Sequence, residues 1–115
     1  MDFINRSAVV LRPKRPYLEW ARLDDAEGLA QSVFEALTHE PGVYLVPDWQ
    51  EPEGRRGVLE EFWPALFDAM LNAWVTDQSL WPEGRTLEMF HEWFKVQTFD
   101  TVEDLYENEA IDYFD

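Results

Sequence analysis

The feature that most constrains the fold is a long stripe of large apolar residues between positions 59 and 74. It advances in steps of three and four through Leu59, Phe62, Trp63, Leu66, Phe67, Met70, Leu71 and Trp74. Such steps place side chains on one face of an α-helix, so we predict the main core helix from Leu59 to Trp74. Pro64 lies inside it and lacks the amide hydrogen that its turn requires. We therefore expect a kink near residues 59–61 or two helices that meet there.

Three short segments have the composition of β-strands. Ser7–Leu11 is apolar and rich in β-branched residues, and Val43–Val46 follows a Pro-Gly turn. Residues 95–104 spread Val, Thr and Phe among polar residues, which predicts a third, half-exposed strand with imperfect alternation.

Capping residues predict two shorter helices before the second strand. Pro16 is suited to the first turn of a short helix, because its fixed backbone angle and missing amide hydrogen cost nothing there. Asp24 or Asp25 then caps a second helix that runs to about Leu37.

The segments on either side of the core helix have weaker signals. Residues 50–57 are polar and predict either a loop or a frayed helix start. Thr86 is placed to cap a further helix over residues 87–94, after a loop that contains Pro and Gly.

Together these elements predict one α/β domain of the α+β type over residues 1–115, with a small, roughly three-stranded sheet packed against two to four helices. The 115 residues fit a single domain, and 46% of them are hydrophobic, enough for a core without metal or disulfide support. Residues 103–115 hold six acids and no base. Residues 107–115 are therefore either a mobile acidic tail or, given their apolar residues, partly docked.

Charge restricts the partners of this domain. The net charge is -15, and it is uneven, with +3 over residues 1–23 and -18 over residues 24–115. Nucleic acid and anionic membranes are disfavoured, because phosphate contacts need clustered Lys and Arg. The acidic surface either attracts a basic protein as a partner or serves solubility alone. No signal peptide or long apolar segment is evident and there is no cysteine, so we expect a cytoplasmic location.

The loop from Asp77 to Arg85 contains the candidate ligand site. Trp81 could offer a stacking face and Arg85 could grip a carboxylate or phosphate, with Asp77 beside them. The alternative, which we favour, is structural. Trp81 then packs on the core, and Arg85 pairs with Asp77 or with the helix cap.

Glu88 and His91 are weak candidates for a metal site. They are three residues apart on the predicted helix, a spacing at which one helix can offer a carboxylate and an imidazole to a metal. A surface histidine beside acidic residues is the more common arrangement, so no metal and no cofactor are expected.

Two functional hypotheses follow. The charge and the lack of a recognisable catalytic set favour a non-enzymatic acidic interaction module that binds a basic protein. The alternative is a small-molecule-binding protein or an enzyme with a pocket near Trp81, Arg85 and His91. The enzyme question stays open with a preference for no activity, and the catalytic residues are unknown.

A set of motifs in a fixed order also carries a resemblance. The motifs are residues 9–16 followed by Trp20, residues 43–47, Trp74 with Asp77, residues 81–86, Met89-Phe90 and Trp93-Phe94. In these motifs the chain resembles a family of small acidic bacterial proteins with no assigned function. The resemblance covers nearly the whole chain and implies an α/β fold and a bacterial cytosolic setting, but it transfers no catalytic residue.

Overall fold

The computed structural model describes residues 2–3, 5–106 and 109–112. Within them the chain forms a single small α+β domain with four α-helices and a three-stranded antiparallel sheet. This confirms the predicted fold class. The predicted acidic tail lies partly outside the described residues. Its described part, residues 109–112, is irregular and exposed.

The sheet is built around its first long strand. Strand β2, Arg6–Pro13, lies between β3, Gly42–Pro47, and β4, Phe94–Phe99, and both pairings are antiparallel. All three predicted strands are therefore present. The third one ends at Phe99 instead of continuing to residue 104. The register places Val9 opposite Tyr44 and Thr98, so side chains at these positions share one face of the sheet.

A short ladder that the sequence analysis missed joins the two ends of the chain. Strand β1, Asp2–Phe3, pairs antiparallel with β5, Glu103–Asp104. Two residues are too few to show a period of two, so pattern alone could not reveal this pairing.

The helices follow the predicted order with corrected ends, and one extra 3-10 turn lies between the last two. Their bounds are α1 Arg15–Arg22, α2 Ala30–His39, α3 Pro52–Asn72 and α4 Leu87–Trp93, with the 3-10 turn at Gln78–Leu80. Thr86 caps α4 as predicted, because its hydroxyl oxygen accepts from the Met89 amide at 3.1 Å. No helix among the described residues is both long and apolar enough to cross a membrane.

Helix α2 begins later than predicted. Gly28 has a φ of +71°, in the left-handed region that a helix cannot contain. The Asp25 carboxylate bridges this turn, accepting from the amides of Leu29 at 2.7 Å and Ala30 at 3.0 Å. Asp25 therefore supports the start of α2, but from five residues before its first residue.

Helix α3 continues through Pro64. It begins at Pro52, so residues 52–57 are helical, and it ends at Asn72 instead of Trp74. The expectation of two helices meeting near residues 59–61 was therefore wrong. Pro64 is exposed on the helix, where water can satisfy the carbonyl that loses its partner.

One aromatic-rich core lies between the sheet and the helices α1, α3 and α4. Phe67 of α3 is fully buried, and its ring centroid is 5.2 Å from that of Phe94 and 6.0 Å from that of Phe90. Val9 and Leu11 of β2 close the core from the sheet. The predicted stripe of α3 thus forms the helical side of the core. The opposite face of α3 points away from the core and can contribute to surface sites.

Candidate functional site

The loop after α3 forms one wall of an open cleft, which we call the Trp81 cleft. Its volume is about 600 Å³. Helix α3 contributes Asp68 and Asn72, and the loop contributes Trp81, Glu83 and Arg85. Two of the three predicted ligand-binding residues, Trp81 and Arg85, therefore lie together in one concave site.

Arg85 is held within the fold. Its Nη1 donates to Oδ1 of Asp68 at 2.7 Å. Its guanidinium carbon also lies 5.1 Å from the centre of the Phe67 ring and 5.8 Å from that of Trp81. A planar cation with carboxylate and aromatic partners has its charge offset, so a free anion would compete with Asp68 for it.

Trp81 and Asp77 also have structural partners. The indole nitrogen of Trp81 donates to the Val75 carbonyl at 2.9 Å, which fixes the ring at the edge of the core. The Asp77 carboxylate accepts from the hydroxyl of Ser79 at 2.7 Å and from its amide at 3.0 Å. These hydrogen bonds lower the pKa of Asp77, chiefly through the hydroxyl, so this exposed group stays ionised at neutral pH.

Arg85 therefore has a partner within the fold, but it is not the partner that the structural alternative named. Arg85 pairs with Asp68 on α3 instead of with Asp77. The two are 17 residues apart and lie on different elements. No local spacing rule relates such positions, so sequence reasoning could not find Asp68.

Glu88 and His91 lie in a second concavity, which we call the His91 groove. It has a volume of about 440 Å³ and runs between the N-terminal half of α3 and α4. Arg55, Arg56 and Leu59 are on its α3 side. Since Trp81 and Arg85 do not line it, the structure divides the pocket expected near Trp81, Arg85 and His91 into two sites.

The described residues contain no group of three or more His, Cys, Asp or Glu side chains close enough together to hold a metal ion. Glu88 and His91 are both exposed on α4. The arrangement of these two side chains is that of a solvated helix surface.

The acidic side chains are the most abundant feature of the surface. Of the 21 Asp and Glu residues whose side-chain exposure the structure describes, 18 are exposed and the other three are partly buried. Only two ion pairs form among the residues described, Arg15 with Glu19 at 3.1 Å and Arg85 with Asp68 at 2.7 Å. Most carboxylates on this surface therefore face solvent without a basic side chain of the same molecule.

Comparison of the chain with protein-family models, with curated proteins and with solved structures found no match.

Proposed function

We propose that this protein is a non-enzymatic interaction module that binds a basic segment of another protein, and that a Lys or Arg side chain of the partner enters the Trp81 cleft. The observation that carries the proposal is the exposure of 18 carboxylates in a fold where only two ion pairs form between described residues. Carboxylates without internal partners create a negative potential that attracts cations over a distance of several ångströms.

The chemistry of the Trp81 cleft suits a cation better than an anion. Two carboxylates, Asp68 and Glu83, line the cleft together with one cation, Arg85, whose charge Asp68 already offsets. The amide groups of Asn72 and Gln78 add acceptors for an ammonium or guanidinium group. A basic side chain could therefore gain charge-assisted hydrogen bonds without separating the existing ion pair.

One of the serines is not available as a nucleophile at the surface. Ser7 is fully buried, and its hydroxyl donates to Oδ1 of Asp48 at 2.7 Å. A serine in this position closes the core and cannot approach a substrate from solvent.

The proposal is tested by isothermal titration calorimetry with a synthetic peptide of alternating Lys and Ser residues at low salt. We expect Glu83→Gln to weaken binding about threefold to fivefold, the effect of removing one carboxylate from a partly solvated ion pair. Glu83 is exposed at the rim of the cleft, so this variant leaves the core intact.

Glu27→Gln is the matched control, because it removes the same charge from an exposed position outside the cleft. We expect its affinity to stay near that of the wild type. Equal effects of the two variants would show that binding follows net charge alone and would refute the cleft as the binding site. Absence of binding by the wild type would refute the proposed function itself.

A further inference from the structure

The three-stranded sheet has a second face, opposite the aromatic core, which we call the outer face. The register puts Ala8 opposite both Leu45 and Phe99, and Val10 opposite Val43. Because side chains directly opposite each other across a ladder point the same way, these five apolar residues share one face.

The outer face is apolar, and its edges on β3 and β4 are open to solvent, while Ala8 and Val10 on the central strand are buried. Val43 is 63% exposed, and about half of the Leu45 and Phe99 side chains is exposed. In a folded domain, contiguous apolar side chains with this much contact with water indicate a surface that becomes covered by another molecule or segment.

The outer face is also the basic side of an acidic protein. The three strands contain no Asp or Glu, and their three basic residues, Arg6, Arg12 and Lys95, are all on the outer face by register. Since the whole chain has a net charge of -15, this local excess of positive charge is opposite in sign to the rest of the surface. Its complement is an acidic segment that carries apolar side chains.

The chain itself contains such a segment. Residues 103–106 and 109–112, which we call the C-terminal segment, have four acids and no base. Their large apolar side chains face solvent, with Leu105 73% exposed and more than half of Tyr106 and Ile111 exposed. The C-terminal segment is thus opposite in charge to the outer face and equally rich in exposed apolar groups.

We infer that two copies of this chain associate through reciprocal docking of the C-terminal segment of each copy on the outer face of the other. A two-fold axis allows both contacts to form at once, because each copy offers one face and one segment. Burial of apolar side chains supplies most of the affinity, and the exposed Arg6 and Lys95 select an acidic segment. Arg12 is half-buried, and its Nε donates to the Thr38 carbonyl of α2 at 3.3 Å.

The inference is tested by sedimentation equilibrium of the full chain from about 5 µM to about 500 µM at about 150 mM salt, which screens the net repulsion between copies. The wild type is expected to shift from monomer to dimer as its concentration rises. A wild type that stays monomeric at every concentration would overturn the inference. Folding of the C-terminal segment onto the outer face of its own chain would also give a monomer, so that outcome counts against the inference too.

The Leu105→Ser variant tests whether the C-terminal segment makes the contact between the two copies. Loss of one buried leucine from each contact is expected to raise the dissociation constant of the dimer at least tenfold, about the effect of a single large apolar group. The matched control is Leu23→Ser, since Leu23 is 83% exposed and lies on neither surface. Equal dissociation constants for the two variants would overturn the inference.

Reversal of the charges at two positions tests whether the outer face is the surface that receives the C-terminal segment. Lys95→Glu is expected to weaken the dimer about fivefold, and a second change in the same chain, Glu109→Lys, is expected to restore most of the loss. Lys95 and Glu109 are both exposed, so neither change disturbs the core. A loss without restoration would contradict charge pairing between the outer face and the C-terminal segment.

Discussion

Tyr17 joins α1 to the end of α3. Its side chain is fully buried, and its hydroxyl donates to the Met70 carbonyl at 2.8 Å. Met70 is one of the last four residues of α3, whose carbonyls have no amide partner within a helix. Burial raises the pKa of Tyr17, and the neighbouring Tyr44 adds to the rise, so the hydroxyl stays protonated and able to donate.

Tyr17→Phe should lower the free energy of unfolding by about 1–2 kcal/mol, because the Met70 carbonyl remains buried without a donor. Urea denaturation monitored by circular dichroism measures the loss. An unchanged free energy would mean that this hydrogen bond contributes no net stability.

Tyr17 also makes the stability of the fold depend on pH in the alkaline range. The pKa of Tyr17 is higher in the folded state than in the unfolded state, so its contribution is complete below about pH 10 and declines as the pH rises further. The wild type should therefore lose stability above about pH 10, and Tyr17→Phe should lose less of it over the same range. If the stability of the wild type and that of Tyr17→Phe fell equally with rising pH, Tyr17 would not be the group responsible for the loss.

Position 85 in the Trp81 cleft requires a planar cationic side chain. Its planar guanidinium contacts two aromatic rings and one carboxylate, which an ammonium group cannot do with the same geometry. Arg85→Lys should therefore lower the free energy of unfolding by about 1 kcal/mol. Arg55→Lys on the exposed surface of α3 is the control, with no expected change. Equal free energies of unfolding for Arg85→Lys and Arg55→Lys would mean that the planar guanidinium of Arg85 adds no stability beyond that of an exposed basic residue.

At the level of elements, the sequence predicted best where a pattern repeats several times. The stripe of α3 spans many turns, so its position in the core was predictable even though Pro64 suggested a break. Strand β2 was predictable from its β-branched run. Pairing between distant segments leaves no periodic signal, which is why the β1–β5 ladder and the Asp68–Arg85 pair were not found.

Pro64 provides a prediction about α3 itself. Pro64→Ala should raise the free energy of unfolding by about 1–3 kcal/mol, because alanine restores an amide donor and removes the clash with the preceding turn. Pro52→Ala is the matched control, since Pro52 occupies the first turn, where proline costs little, and should leave stability nearly unchanged. Chemical denaturation measures both. A loss of stability in Pro64→Ala would show that the proline is required by the packing of the fold.

At the level of the whole molecule, the charge distribution separates the proposed sites. The basic residues of the strands lie on the outer face, Arg85 is paired inside its cleft, and 18 carboxylates are exposed among the side chains that the structure describes. Composition predicted the overall charge and a basic partner as a hypothesis. It could not predict that the positive charges of two strands, β2 and β4, would be collected on one side of the sheet, because that depends on the register of the ladders.

The most direct measurement for the proposed function is the affinity of the wild type for the Lys-Ser peptide at salt concentrations from about 50 mM to about 300 mM, beside a Glu-Ser peptide of the same length. We expect binding of the basic peptide that weakens steadily as salt increases, and no binding of the acidic one. Absence of binding at low salt, or equal binding of the two peptides, would contradict the account of this protein as an acidic module for a basic partner.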